Sequence, residues 1–373
     1  MKNYKIIISG GGTGGHIFPA VSIANEICRR FPDAEILFIG AEDRMEMERV
    51  PAAGYKIVGL PISGFNRQRI FKNFAVVVKL MKSLRMAKKI IREFKPDIAI
   101  GVGGYASGPT LWRASSLNIP ILIQEQNSYA GVTNKLLGKR ASKICVAYRG
   151  MEKFFPEERI VMTGNPVRKD LEDISNKNPE AISYFGLEAD KPVLLVVGGS
   201  LGARTINQGM RKGIKQLIDA GIQVIWQTGK YYYNSIKEEL KDESYKGLWF
   251  SDFISHMDYA YSVADLVVSR AGAGTISELC LLKKPSVLVP SPNVAEDHQT
   301  KNARALSDSG AAVFIPDNMA EEKLIAAAIE MLGDKEKLNN LSEQIALFAQ
   351  HNSAERIVDE MVEIVKNEKY FSI

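Results

Sequence analysis

At 373 residues the chain is long enough for two domains, each with its own buried core. Its 46% hydrophobic and 24% charged residues are ordinary for a globular protein, and a net charge of +5 is too small to argue for nucleic acid. Cys28, Cys145 and Cys280 lie far apart in apolar stretches without zinc spacing, which excludes a disulfide framework and reads as reduced core thiols. No apolar run reaches the roughly 20 residues of a membrane span. A strand begins almost at the first residue, so no signal peptide is expected.

In chain order, Lys5-Ile6-Ile7-Ile8-Ser9 is an apolar β-branched run that predicts a buried parallel strand. It opens into Gly10-Gly11-Gly12-Thr13-Gly14-Gly15-His16, and apolar residues at helical spacing follow from Ile17. Five glycines in six residues allow a tight turn and close approach to a ligand. The helix start beyond them offers N–H groups and a positive dipole end to a phosphate or carbonyl. The stretch also fits G-x-G-x-x-G at Gly10, Gly12 and Gly15, a weak signal alone, since a ligand-free turn has the same spacing. Further strands are predicted at 35–40, 57–60, 97–102, 119–123 and 143–147, the last closing this half. The fourth opens into Gly103-Gly104-Tyr105 and the fifth into Gln124-Glu125-Gln126-Asn127. Strands alternating with helices imply a parallel sheet, with ligands at the carboxyl ends of its strands.

Thr163 to Arg168 reads as a turn between halves, and the plan then restarts. Pro192 to Val197 is a strand, Gly198 to Arg204 a second glycine loop, and Thr205 to Ala220 a helix. Strands at 222–229 and 265–269 follow, the latter opening into a third glycine loop, Gly272-Ala273-Gly274-Thr275-Ile276-Ser277-Glu278. Ser286 to Pro290 precedes Asp297-His298-Gln299, and 320–369 is helical by pattern. The expected class is α/β, two Rossmann-like parallel-sheet domains facing across a cleft. The expected boundaries are 1–163, 164–350 and a C-terminal helix, 351–373, packing back on the first domain.

His16 ends the first glycine loop and faces whatever that loop holds. Ser200 is placed to hydrogen-bond a phosphate. Glu278 is expected in the first turn of its helix, where an acid either complements the dipole or holds a ribose diol. No Asp-x-Asp pair follows a strand end, so no divalent metal and no cofactor are expected. Residues 64–95 carry ten cations and one acid, Glu93, among Phe65, Ile70, Phe71, Phe74, Met81 and other apolar residues. Such a segment is either a solvated basic helix or a surface for anionic lipid.

Together these motifs closely resemble the MurG family, bacterial transferases of glycosyltransferase family 28. Those enzymes add N-acetylglucosamine to the lipid-linked muramyl-pentapeptide precursor of peptidoglycan. The likeness rests on Gly11 to Pro19, Gly103 to Pro109, Glu125-Gln126-Asn127, Gly164 to Arg168, Gly198 to Arg204, and Ser277-Glu278 with Asp297-His298-Gln299, in that order. It implies a GT-B fold and inverting, metal-independent transfer from UDP-N-acetylglucosamine to the 4-hydroxyl of undecaprenyl-pyrophosphoryl-muramyl-pentapeptide. It also implies a peripheral location on the cytoplasmic membrane face, docked through 64–95, in cell-wall synthesis. Carried over residue by residue, it implies donor contacts from Thr13, Gly14, Gly15, Asn127, Arg168, Ser200, Ile254, Gly272, Ala273, Gly274, Thr275, Ile276, Ser277, Glu278 and Gln299. It implies acceptor contacts from Gly103, Gly104, Tyr105 and Asn134, and catalysis by His16 and Glu125. Gln124 stands where some relatives carry His. Two rival readings are a nicotinamide-dependent oxidoreductase, with Glu42 or Asp43 on a ribose, and a non-catalytic membrane-docking protein. The first leaves the second and third glycine loops unexplained, and the second leaves His16 without purpose.

Overall fold

The computed structural model describes residues 3–63, 73–167, 171, 174 and 177–370. They form two compact units, residues 1–167 with 350–373, and residues 168–349. The first runs β1 (Lys5–Ser9), α1 (Gly14–Arg30), β2 (Glu35–Ala41), α2 (Glu46–Ala52), β3 (Lys56–Leu60), α3 (Asn73–Phe94), β4 (Ile98–Gly101), α4 (Ser107–Ser116), β5 (Ile121–Glu125), α5 (Val132–Gly138), β6 (Lys143–Val146) and β7 (Ile160–Met162). All its strands pair in parallel, in the order β3-β2-β1-β4-β5-β6-β7. The 143–147 strand is therefore not the last of its half: β7 pairs with β6 through Ile144↔Ile160.

The period of two sorts β1 between the faces of its sheet. Ile6 and Ile8 pack with Ile17, Ile23 and Ile27 of α1. Ile7 turns the other way, into a core with Ala87 and Ile91 of α3 and Leu111 of α4. The topology matters more for function. Strand order reverses at β1, whose neighbours are β2 on one side and β4 on the other. The loops after β1 and β4 thus flank the switch point, where such sheets bind ligands.

The second unit repeats the design with α6 (Pro179–Phe185), β8 (Val193–Val197), α7 (Arg204–Asp219), β9 (Gln223–Gln227), α8 (Tyr233–Glu239), β10 (Leu248–Ser251), α9 (Met257–Val263), β11 (Leu266–Ser269), α10 (Ala273–Leu281), β12 (Ser286–Leu288), α11 (His298–Ser307), β13 (Val313–Phe314), α12 (Ala320–Gly333) and α13 (Lys335–Ala346). Its sheet is ordered β10-β9-β8-β11-β12-β13, so its switch point lies between β8 and β11. The second and third glycine loops follow those two strands.

The C-terminal helix α14 (Ser353–Tyr370) returns to the first unit. Its Ile357, Val358, Met361, Ile364 and Val365 are buried in the core beneath α1. Each such side chain contributes roughly 1.5–3 kcal/mol. The ion pairs beside them, Arg30–Asp359 at 2.6 Å and Arg29–Glu355 at 3.4 Å, lie at the surface and add little. Cys145 and Cys280 are buried free thiols, each pushed up to about 12 by desolvation, and Cys28 is also unbridged. No helix among the described residues is long and apolar enough to cross a membrane.

Candidate active site

In the first unit the two glycine loops at the switch point interlock. Gly11 (φ +144°), Gly12 (+87°), Gly103 (+92°) and Gly104 (+87°) adopt backbone conformations that favour glycine. A Cβ on Gly104 would lie 2.4 Å from the Gly11 carbonyl oxygen, and one on Gly10 would lie 2.2 Å from Val102 Cγ2. Thr13, exposed, is the N-cap of α1, and Gly14 and Gly15 form its first turn.

His16 follows, half-buried, with its ring held at Nδ1. Nδ1 lies 3.1 Å from the Gly11 carbonyl oxygen and 3.2 Å from Thr13 Oγ1. A carbonyl can only accept, so the proton is assigned to Nδ1, and the threonine hydroxyl rotates to suit. In the neutral ring that makes Nε2 the proton acceptor. Nε2 lies over Gly103, where an added Cβ would come within 2.9 Å of it.

Glu125, at the end of β5, is buried. Its Oε1 accepts from Asn127 N at 3.1 Å and Asn127 Nδ2 at 3.2 Å, and its Oε2 from Gly131 N at 3.0 Å and Asn134 Nδ2 at 2.9 Å. A carboxylate has about four lone-pair sites, so this one is committed to shaping the 126–134 loop. These four bonds tie the Glu125 carboxylate to Asn127, Gly131 and Asn134. Asn134 is buried beside it, and its Oδ1 has no hydrogen-bond partner among the described residues. Gln124 is buried in an amide network: it donates to Asn165 Oδ1 at 2.9 Å and accepts from Gln126 Nε2, while Asn165 Nδ2 donates to Gln126 O at 3.0 Å. Tyr105 is exposed beside the Gly103 loop.

In the second unit Gly202 (φ +89°) and Gly229 (+81°) touch backbone to backbone, and a Cβ on Gly229 would lie 2.1 Å from Gly202 N. Ser200 is exposed at the tip of this loop, and its carbonyl accepts from Lys230 N at 3.1 Å. Gly272 is the N-cap of α10, so the cap itself offers no side chain to the first N–H groups of that helix. Ala273 to Ser277 build its first turns. Ser277 Oγ donates back to Ala273 O at 3.0 Å. Glu278 lies in the second turn, not the first, because α10 starts at Ala273; a dipole-complementing acid would sit nearer the start. Its Oε2 accepts from the buried Tyr261 hydroxyl at 2.8 Å, which aims the carboxylate. The buried Ile254 donates its N–H to Gln227 Oε1 at 3.1 Å. Gln299 Oε1 accepts from Ser291 N at 2.8 Å, so its amide oxygen is engaged by the chain after β12. Arg168 lies outside the described residues. His16, Gly103, Gly104, Glu125, Asn127 and Asn134 therefore gather in the first unit, and Ser200, Ile254, the Gly272–Glu278 loop and Gln299 belong to the second.

Comparison with known proteins also finds two domains. Residues 6–146 match the glycosyltransferase family 28 N-terminal domain, and residues 193–360 match the family 28 C-terminal domain. The chain belongs to glycosyltransferase family 28. This family-28 chain is 65% identical over 367 residues to the UDP-N-acetylglucosamine–N-acetylmuramyl-(pentapeptide) pyrophosphoryl-undecaprenol N-acetylglucosamine transferase of Parabacteroides distasonis, covering 98% of this chain and 99% of that protein. It is 57% identical over 366 residues to the transferase of the same name from Porphyromonas gingivalis, with 98% and 97% covered. Among solved structures it resembles Acinetobacter baumannii MurG, with a TM-score of 0.78 and 28% identity over 96% of this chain and 99% of that one. The calicheamicin glycosyltransferase CalG4, at 17% identity and a TM-score of 0.73 over 99% of both chains, shares the fold alone. The fold class is GT-B, two Rossmann-like α/β domains, as the motifs imply.

Several residues that support these loops were not legible in the sequence. Glu46 is almost wholly buried beneath the first glycine loop. Tyr261 supports Glu278. Arg270, at the end of β11, donates to the carbonyls of Val289 and Pro290 at 3.1 Å and pairs with Asp317, which also accepts from Thr205. That network holds the start of the third glycine loop. Glu42 and Asp43, the acids of the dehydrogenase reading, do not hold the first loop: Glu42 packs over Gly59, and Asp43 turns the chain at φ +57°.

Proposed function

We propose that the chain transfers N-acetylglucosamine from UDP-N-acetylglucosamine to the 4-hydroxyl of undecaprenyl-pyrophosphoryl-N-acetylmuramyl-pentapeptide, with inversion at the anomeric carbon. The names of its relatives support this chemistry. The observation that carries the mechanism is the pair of switch points, with an oriented imidazole at one and an oriented carboxylate at the other. The second unit takes the nucleotide: Glu278 accepts from the ribose, the α10 N-terminus and the Ser200 loop donate to the diphosphate, and Ile254 and Gln299 complete the contacts. The first unit takes the acceptor at Gly103, Gly104 and Tyr105. Thr13, Gly14, Gly15, Asn127 and Arg168 are proposed donor contacts by family resemblance, and Asn134 an acceptor contact.

An alcohol is a weak nucleophile, so its proton must leave as the new bond forms. His16 Nε2 takes it while Gly11 holds the Nδ1 proton. UDP leaves from the opposite face of the sugar, and its growing charge is met by backbone N–H groups fixed before the reaction. Glu125 keeps the 126–134 loop in place.

Helix α3 and its neighbours form the membrane contact. Residues 64–72 lie outside the described part. In α3, Val77, Val78 and Met81 are exposed beside exposed Lys79, Lys82, Arg85, Lys89 and Arg92. Trp112 of α4 and Leu136 of α5 are exposed as well, with Arg140 stacked 3.9 Å over the Trp112 ring. Apolar residues ringed by cations suit anionic lipid, and make the enzyme peripheral on the inner face of the cell membrane.

The deciding test is His16→Ala. As the base, it loses roughly 10²–10⁴-fold in turnover, keeps its affinity for UDP-N-acetylglucosamine, and loses the acidic limb of the pH profile. An unchanged limb with weakened donor binding moves the base elsewhere.

A further inference from the structure

Glu46 is 1% exposed. Burying a carboxylate is costly unless donors answer it. Here two do: Ala41 N donates to Oε1 at 3.0 Å, and Gly12 N donates to Oε2 at 2.8 Å. The fit around the side chain is tight. A Cβ on Gly11 would lie 2.2 Å from Oε1, and one on Gly40 would lie 2.6 Å from Glu46 Cγ. Glycines on the first glycine loop and on β2 make room for this one side chain.

The bond to Gly12 has a second end. The Gly12 N–H and the Gly11 carbonyl belong to one peptide group, a rigid planar unit with its N–H and C=O pointing opposite ways. Glu46 accepts from the N–H, and the carbonyl accepts from His16 Nδ1 at 3.1 Å. A flip of that peptide would break both bonds. The negative carboxylate also polarises the peptide, which strengthens the carbonyl as an acceptor, since linked hydrogen bonds reinforce one another.

We propose that Glu46 is the positioning residue for His16, acting through the Gly11–Gly12 peptide to hold the imidazole as its Nδ1–H tautomer with Nε2 turned to the acceptor. The relay does the work that a directly bonded carboxylate does for histidine elsewhere. It rests on the reading of His16 as the base.

Glu46→Gln is the test, because it keeps the shape but offers only one acceptor to two N–H donors. Turnover should fall about 10- to 100-fold, the effect of slight misplacement at a reacting group, with KM for UDP-N-acetylglucosamine within about twofold. In a His16→Ala background the same change should cost no more than about twofold, because residues acting as one unit do not add. Unchanged turnover in Glu46→Gln, or the full loss repeated in the His16→Ala background, overturns the proposal. Nitrogen NMR of histidine-labelled parent enzyme is independent of whether the variant folds: the His16 signal, assigned by its loss in His16→Ala, should report the Nδ1–H tautomer. An Nε2–H tautomer overturns the relay. If His16→Ala keeps full turnover, the base reading fails by itself, and the NMR result still judges the link between Glu46 and His16.

Discussion

Replacing Glu278 separates nucleotide binding from structure. The carboxylate accepts from the buried Tyr261 hydroxyl at 2.8 Å, and in the proposed complex also from the ribose diol. A hydrogen bond to a charged group is worth about 1.5–3 kcal/mol, so Glu278→Ala should weaken UDP about 10- to 100-fold. The alanine also removes an acceptor from a buried hydroxyl, at about 1–3 kcal/mol of stability. Glu278→Gln divides the two effects: it keeps an acceptor for Tyr261, and thus most of the stability, but loses the charge facing the ribose. Titration calorimetry with UDP and 2′-deoxy-UDP, beside thermal melts, reads both. The parent should discriminate between the nucleotides, and Glu278→Ala should discriminate less. A lowered melting temperature with unchanged UDP affinity would mean that Glu278 only braces Tyr261, and the nucleotide would have to be placed elsewhere.

Lys79, Lys82 and Arg85 replaced together by Ser should lose about 3 kcal/mol of attraction to anionic vesicles, about 1 kcal/mol for each cation. Sedimentation should show roughly 100-fold weaker binding, strong salt dependence in the parent, and near-parent turnover on a short-chain acceptor; equal sedimentation would make α3 an ordinary solvated helix. Turnover should survive EDTA, and loss with rescue by magnesium would contradict metal-independent transfer. Gly104→Ala should destabilise the first unit and abolish turnover, because the new Cβ would meet the Gly11 carbonyl at 2.4 Å in a positive-φ position; a parent-like melt would refute the interlocked loops. Burial pushes the Lys284 ammonium from its ordinary 10.5 down to about 8. Between those values the unfolded chain holds a proton that the folded chain has lost, so stability should rise with pH across that window. Urea melts should show a gain of about 2–3 kcal/mol in the parent relative to Lys284→Met, and parallel curves would count against it.

The alternation of strands and glycine loops was legible because parallel strands buried on both faces read as continuous apolar runs, as in Ile6-Ile7-Ile8. The short elements were not. β7 is three half-buried residues, β13 is two, and α2 is seven with Pro51 inside, so none has length enough to show a period. Missing α2 hid Glu46, which in sequence is one acid among Glu42, Asp43 and Glu48. Only the fold reveals which of the four lies under the loop. Glu278 was put one turn too early because the position of an acid in a helix depends on where the cap falls, and Gly272 sets that. Glu125 lies among motif residues, so its place was legible. Its hydrogen bonds were not, since four donors on one carboxylate come from a loop geometry that spacing does not encode.

The central claim is tested most directly by incubating the enzyme with UDP-N-acetylglucosamine, labelled in the sugar, and a lipid-linked muramyl-pentapeptide acceptor. Label should pass to the lipid with one UDP released per sugar transferred, giving a β-1,4-linked disaccharide, and His16→Ala should slow that transfer without weakening donor binding. UDP release without labelled lipid, or transfer at the parent rate by His16→Ala, would contradict it.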